Sequence, residues 1–220
     1  MGGEELRTLI LFAPPFILSL SVHEWAHAWT ANKLGDPTPK LLGRLTLDPM
    51  AHISWLGTVL FPAIAIMTGA PLFGWAKPVM INTRFFKKPR RDHALVAAAG
   101  PLSNIILAIF LAILFGQLTK YLNPMTTGEA SLLKASLEMI LNALQLNVFL
   151  FLFNLIPLPP LDGSSILMGL LPRRMALRFE RFASSEMAFW FFLLMLATGL
   201  FRVISLPAFF IIQTLKSLFF

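Results

Sequence analysis

Residues 6–34 read LRTLILFAPPFILSLSVHEWAHAWTANKL. This predominantly apolar stretch exceeds the roughly 20 residues that an α-helix needs to cross the hydrocarbon core of a bilayer. It nevertheless carries His23, Glu24 and His27. Ionisable groups inside an apolar run are costly, so their presence marks a functional site by default. A cleavable signal peptide is excluded by the leading Glu4 and Glu5, which stand where basic residues belong, and by the two histidines and the glutamate in the run. The stretch reads as a retained membrane helix.

The rest of the 220-residue chain agrees. It is 56% hydrophobic and 13% charged, against roughly 45–50% and about 25% in soluble chains. Its mean hydropathy is +0.72. Further candidate membrane segments are Ile53–Phe73, Ala94–Leu118, Leu132–Ile156 and Met187–Leu206. The connections suggest a short hairpin in Gly35–Met50, where Leu41, Leu45 and Leu47 partly alternate with polar residues, and a strand in Gly74–Val79. Asn123-Pro124 marks a turn, and Arg173–Arg181 an amphipathic surface helix. The expected fold is an all-α polytopic membrane protein of about four to six membrane helices, with a short β-hairpin or strand region and a re-entrant segment. Residues 1–220 are read as a single membrane-embedded domain. A net charge of +7 reflects basic membrane loops rather than nucleic-acid binding.

His23 and His27 are four residues apart, so on a helix both imidazoles share one face and can hold one zinc ion. Glu24 then lies beside the metal, where it can take a proton from the attacking water. With no cysteine in the chain, a third ligand must be His, Asp or Glu. Asp162 is the outstanding candidate, being the only acid between Leu141 and Leu171. It follows Pro157, Pro159 and Pro160, which break a helix at membrane depth, where irregular backbone is tolerated only under protein cover or along a polar cavity. His52, beside Asp48, reads as a hydrogen-bonded interfacial histidine, with a role near the metal as its alternative, and His93 reads as solvated.

Taken together, His23-Glu24-Trp25-Ala26-His27 and Asn154-Leu155-Ile156-Pro157-Leu158-Pro159-Pro160-Leu161-Asp162-Gly163 resemble the site-2 protease family of intramembrane zinc metalloproteases. Ala99-Gly100-Pro101-Leu102-Ser103-Asn104 and Gly74–Val79 are similar to further stretches of that family. The resemblance implies that His23, His27 and Asp162 bind one zinc per chain, that Glu24 is the general base, and that Asn154 helps hold substrate and oxyanion. Ser164 departs from the second glycine that many members carry after Asp-Gly. The chain also lacks room for the PDZ or CBS modules of many relatives.

The expected activity is hydrolysis of peptide bonds in or beside a transmembrane helix of another protein, within the lipid bilayer. A non-enzymatic metal-binding transporter or scaffold is the alternative, although such a protein would spread its acids along a pathway. Parity adds a topological expectation. Four full crossings would carry His27 and Asp162 toward opposite faces, so Ile53–Phe73, broken by Pro62, Gly69 and Pro71, should dip in and return. The basic residues of 33–44, 77–91 and 173–181 then share one side, against Arg7, Lys120 and Lys134 on the other. The positive-inside rule makes the richer side cytoplasmic. This describes a multi-pass protein, of the plasma membrane in a prokaryote, with its active site opening toward the cytoplasm.

Overall fold

The structure is a computed structural model that describes residues 3–68, 74–121 and 130–220. The turn expected at Asn123-Pro124 and the end of the Ile53–Phe73 stretch lie outside the described residues. Four helices are long and apolar enough to cross a membrane, over Arg7–Lys33, Pro89–Lys120, Leu132–Asn154 and Arg202–Phe219. In chain order the helices are α1 (Gly3–Lys33), α2 (Thr38–Leu41), α3 (Phe61–Thr68), α4 (Pro89–Tyr121) and α5 (Ala130–Asn154), followed by α6 (Asp162–Leu170), α7 (Arg173–Ala183), α8 (Glu186–Ala197) and α9 (Ser205–Phe219).

Small side chains let the long helices approach closely, as in other membrane bundles. Ala108, Leu111 and Ala112 of α4 meet Ala143, Leu144 and Val148 of α5 and Ala208 and Leu215 of α9 in one buried cluster. Polar contacts fix the helix directions. His27 pairs with the Val96 carbonyl and His23 with Asn104, so α1 read forward matches α4 read backward. The two helices are antiparallel. Ser19 of α1 also pairs with Asn147 of α5, while Asp162, beyond the end of α5, meets His23 and His27, so α5 runs the same way as α1. The whole connection from Leu34 to Lys88 therefore starts and finishes at one end of the bundle.

That connection contains a π-helical stretch, Trp55–Leu60, running into α3. Fourteen helical residues rise at most about 21 Å, short of the roughly 30 Å hydrocarbon core. The excursion is tied shut at its base. Lys77 N–H donates to the His52 carbonyl at 2.8 Å, Trp75 N–H to the Gly57 carbonyl at 3.1 Å, and the Thr58 hydroxyl to the Trp75 carbonyl at 2.9 Å.

Three expectations are corrected. Among the described residues there is no β-strand. Gly35–Met50 is not a hairpin, because the buried Asp36 carboxylate accepts the Thr38 N–H at 2.9 Å, at the start of the helical turn α2, and the Asn82 N–H at 2.7 Å. Leu41 and Leu47, whose alternation suggested a buried strand face, are exposed. Gly74–Val79 is not a strand either, since its N–H groups bond to the His52 and Gly57 carbonyls and to the Glu24 side chain. Met187–Leu206 is not one span: α8 stops before Gly199, whose φ of +68° lies in the left-handed region that favours glycine, and the long apolar helix starts at Arg202 instead.

Candidate metal centre

Ser19, His23 and His27 recur every four residues on α1 and face Val96, Gly100 and Asn104, which recur every four on α4. Two such rows can interdigitate, and here polar and glycine positions replace the usual apolar ones. His23 is 6% and His27 7% exposed, although both sit on a helix long and apolar enough to span a bilayer. A backbone carbonyl can only accept, so His27 Nδ1 carries the proton it donates to the Val96 carbonyl at 2.8 Å. His23 Nδ1 lies 2.7 Å from Asn104 Oδ1 and is likewise the donor. In a neutral imidazole that leaves both Nε2 atoms as bare acceptors, aimed at each other 3.1 Å apart.

The third acceptor arrives from α6. Asp162 Oδ2 lies 3.1 Å from His23 Nε2 and 3.3 Å from His27 Nε2, is buried, and has no hydrogen-bond partner among the described residues. Three facing lone pairs repel unless they share a cation. Their spacing is informative, because donors about 2.0–2.1 Å from a tetrahedral zinc lie roughly 3.3 Å apart. The group can hold a metal ion, and its two nitrogens and one oxygen are a donor set that zinc accepts.

Glycines make room for the convergence. A Cβ on Gly100 would lie 2.4 Å from His27 Nε2 and 2.6 Å from His23 Cε1, inside the cradle itself. A Cβ on Gly163 would meet the Ile156 and Leu155 carbonyls at 2.3 and 2.4 Å, so the start of α6 packs backbone to backbone on the chain leaving α5. At its other end α6 is fastened to α4, where Arg90 Nη2 donates to the Met168 and Leu171 carbonyls at 2.7 and 2.6 Å. Asp162 is thus held from both ends of its helix.

Residues 11–197 match the family model described as Peptidase family M50. The chain belongs to this family, the site-2 proteases. It is 45% identical over 156 residues to the Bacillus subtilis protein named "Putative zinc metalloprotease YwhC", a match covering 71% of this chain and 67% of that protein. Two proteins named "Putative zinc metalloprotease Rip2" are also similar. The one from Mycolicibacterium smegmatis is 30% identical over 70% of this chain and 54% of its own length. The one from Mycobacterium tuberculosis strain H37Rv is 34% identical over 76% of this chain and 62% of its own length. The match spans little more than half to two thirds of these relatives. No solved structure matches the chain significantly. Membership of a zinc metalloprotease family decides for an enzyme over the non-enzymatic transporter or scaffold.

In this M50 chain, Glu24 is half-buried beside the cradle, with Oε2 accepting the Val79 N–H at 2.9 Å. Asn154 is the last residue of α5, and its amide donates to the Leu150 carbonyl at 3.0 Å rather than to any of the other candidate site residues. His52 is buried away from this group and pairs through Nε2 with the Thr46 carbonyl at 2.8 Å, as expected of a hydrogen-bonded histidine. His93, expected to be solvated, is half-buried instead, lining a cavity of about 650 Å³ between α4, α6 and α7. The residues behind the histidines escaped the sequence reading. Asn104 and Asn147 are fully buried polar side chains on apolar helices, and that mismatch was the available signal.

Proposed function

We propose that residues 1–220 form a single membrane-embedded protease domain that hydrolyses peptide bonds in or beside transmembrane helices of other membrane proteins. His23, His27 and Asp162 hold one zinc ion, and Glu24 is the general base. The observation that carries the reading is the convergence of two imidazole Nε2 atoms and one carboxylate oxygen, 3.1 to 3.3 Å apart, on and against a membrane-length helix. His23 is ten residues from Lys33, or about 15 Å along the helix, which favours a scissile bond below the membrane surface. When bound, zinc polarises a carbonyl and acidifies water.

The chain's own groups do the rest. Val79 N–H holds Glu24 Oε2, leaving Oε1 to take a proton from the attacking water and return it to the leaving amine. A helical substrate hides its peptide bonds in its own ladder and must open locally. The extended segment around Ala76 supports such a step, since the backbone groups of Trp75 and Lys77 are spent on one edge. The Ala76 N–H and C=O have no hydrogen-bond partner among the described residues. An unwound substrate strand adds there. Asn154, between α5 and the ligand turn, contributes its amide to substrate or oxyanion once it releases Leu150.

Metal analysis of the purified protein tests the ligand set. His23→Ala, His27→Ala and Asp162→Ala should each lose zinc, whereas His52→Ala and His93→Ala should retain it. Full zinc in Asp162→Ala would show that the third ligand has been misassigned.

The same reading places Trp55–Thr68 as a re-entrant segment and the cradle nearer the cytoplasmic face. The direction of α1 against α4 supports it, as do the basic residues that follow α1 and open α4. Met50 and Met80 are 74% and 70% exposed on either side of the excursion. Single cysteines at these positions should both react with a membrane-impermeant reagent from the cytoplasmic side. Reaction from opposite sides would refute the re-entrant segment.

A further inference from the structure

We infer that Asn104, oriented by Asn147 and Ser19, is a positioning residue that fixes the tautomer and aim of the His23 imidazole. The inference rests on the reading of His23 as a metal ligand and assigns what stands behind it. Asn104 and Asn147 are 0% and Ser19 1% exposed, so bulk water does not reach their bonds. The three come from three different helices, α4, α5 and α1.

The polarity of the chain follows from its anchors. Asn104 Nδ2 donates to the Ser19 carbonyl at 3.3 Å, and a carbonyl only accepts, so the amide oxygen must be the end that faces His23 Nδ1. The same Nδ2 donates to Asn147 Oδ1 at 2.7 Å. Asn147 must then turn its own Nδ2 the other way, where it donates to the Ala143 carbonyl at 2.8 Å and to Ser19 Oγ at 2.8 Å. Ser19 passes its proton on to the Pro15 carbonyl at 2.6 Å. Every donor has an acceptor, and no amide can flip without setting two donors or two acceptors face to face. The ordered arrangement leaves one role for His23 Nδ1, that of donor, and hence presents Nε2 as a lone pair to the cradle. His27 needs no such relay because a backbone carbonyl, which cannot flip, does the same work. Groups that orient a ligating histidine through its other nitrogen typically change metal affinity about 10–100-fold when removed.

The test uses the full chain purified in detergent, with zinc affinity from chelator competition and the visible absorption of the cobalt-substituted protein as readouts. Asn104→Leu should bind zinc about 10–100-fold more weakly and shift the cobalt band. Asn147→Leu should weaken zinc in the same direction, because Asn104 loses its strongest orienting partner. Asn147→Asp should bind zinc close to wild type, since its carboxyl oxygen still accepts from Asn104 Nδ2. A role confined to helix packing predicts the reverse order, because a buried carboxyl disturbs an apolar interface more than leucine does. Wild-type zinc affinity in Asn104→Leu, or equal weakening in Asn147→Asp and Asn147→Leu, overturns the inference. If Asn104→Leu does not fold, the Asn147 pair decides. His23→Ala separates the two levels: zinc retained there overturns the ligand reading itself. Zinc lost there but kept in Asn104→Leu overturns only the positioning role.

Discussion

Glu24→Gln is expected to retain zinc and fold while cleaving a transmembrane substrate about 10²–10⁴-fold more slowly, the range for loss of a general base. That corresponds to roughly 2.7–5.5 kcal/mol of lost transition-state stabilisation. The substitution isolates the chemistry because the side-chain oxygen of glutamine can still accept the Val79 N–H that Glu24 accepts at 2.9 Å. None of the three atoms that form the cradle is changed. What glutamine cannot do is take a proton. Metal content and cleavage measured on the same preparation check both halves, and a zinc-replete Glu24→Gln protein turning over at the wild-type rate would end the assignment.

The second large effect is expected from a residue with no side chain. Gly100→Ala should lower zinc affinity by more than about 100-fold, beyond the 10–100-fold typical of a lost outer-shell partner. The added methyl would sit 2.4 Å from His27 Nε2, 2.5 Å from His27 Cε1 and 2.6 Å from His23 Cε1. Neither ring can yield easily, since each is tied through Nδ1 to the helix that carries the methyl, His27 to Val96 and His23 to Asn104. Helix propensity works in the opposite direction, favouring alanine by about 0.8–1 kcal/mol, and so offsets only part of the roughly 1–3 kcal/mol that overpacking costs. Chelator competition beside a thermal melt separates the two effects. A Gly100→Ala protein that keeps its zinc affinity would mean that α1 and α4 can part without disturbing the cradle.

Much of the site was legible because its chemistry is written locally. His23, Glu24 and His27 fall within five consecutive residues, and a helix of any origin would bring the two imidazoles together. Asp162 was legible for a different reason, as the single acid in a long uncharged run broken by prolines. The membrane character followed from composition alone. The hairpin was misread because alternation over a few leucines is a weak signal, and a buried aspartate with two backbone partners outweighed it. The span Met187–Leu206 was misread because continuous hydropathy does not register one left-handed glycine.

The sequence by itself determined the class of protein and the residue types of the candidate metal cluster, since these depend on residue identity, spacing and apolar length. Tertiary structure decided the relative directions of α1, α4 and α5, the closed base of the Trp55–Thr68 excursion, and the empty space at Gly100 into which the two imidazoles fit. It also decided which polar groups stand behind the histidines. Asn104 and Asn147 lie 43 positions apart, and Ser19 and Asn147 lie 128 apart. Their hydrogen bonds exist only because three helices bury them against one another. No local pattern encodes a partner at that separation, whereas the cost of leaving a buried amide unpaired makes the pairing obligatory once the helices meet.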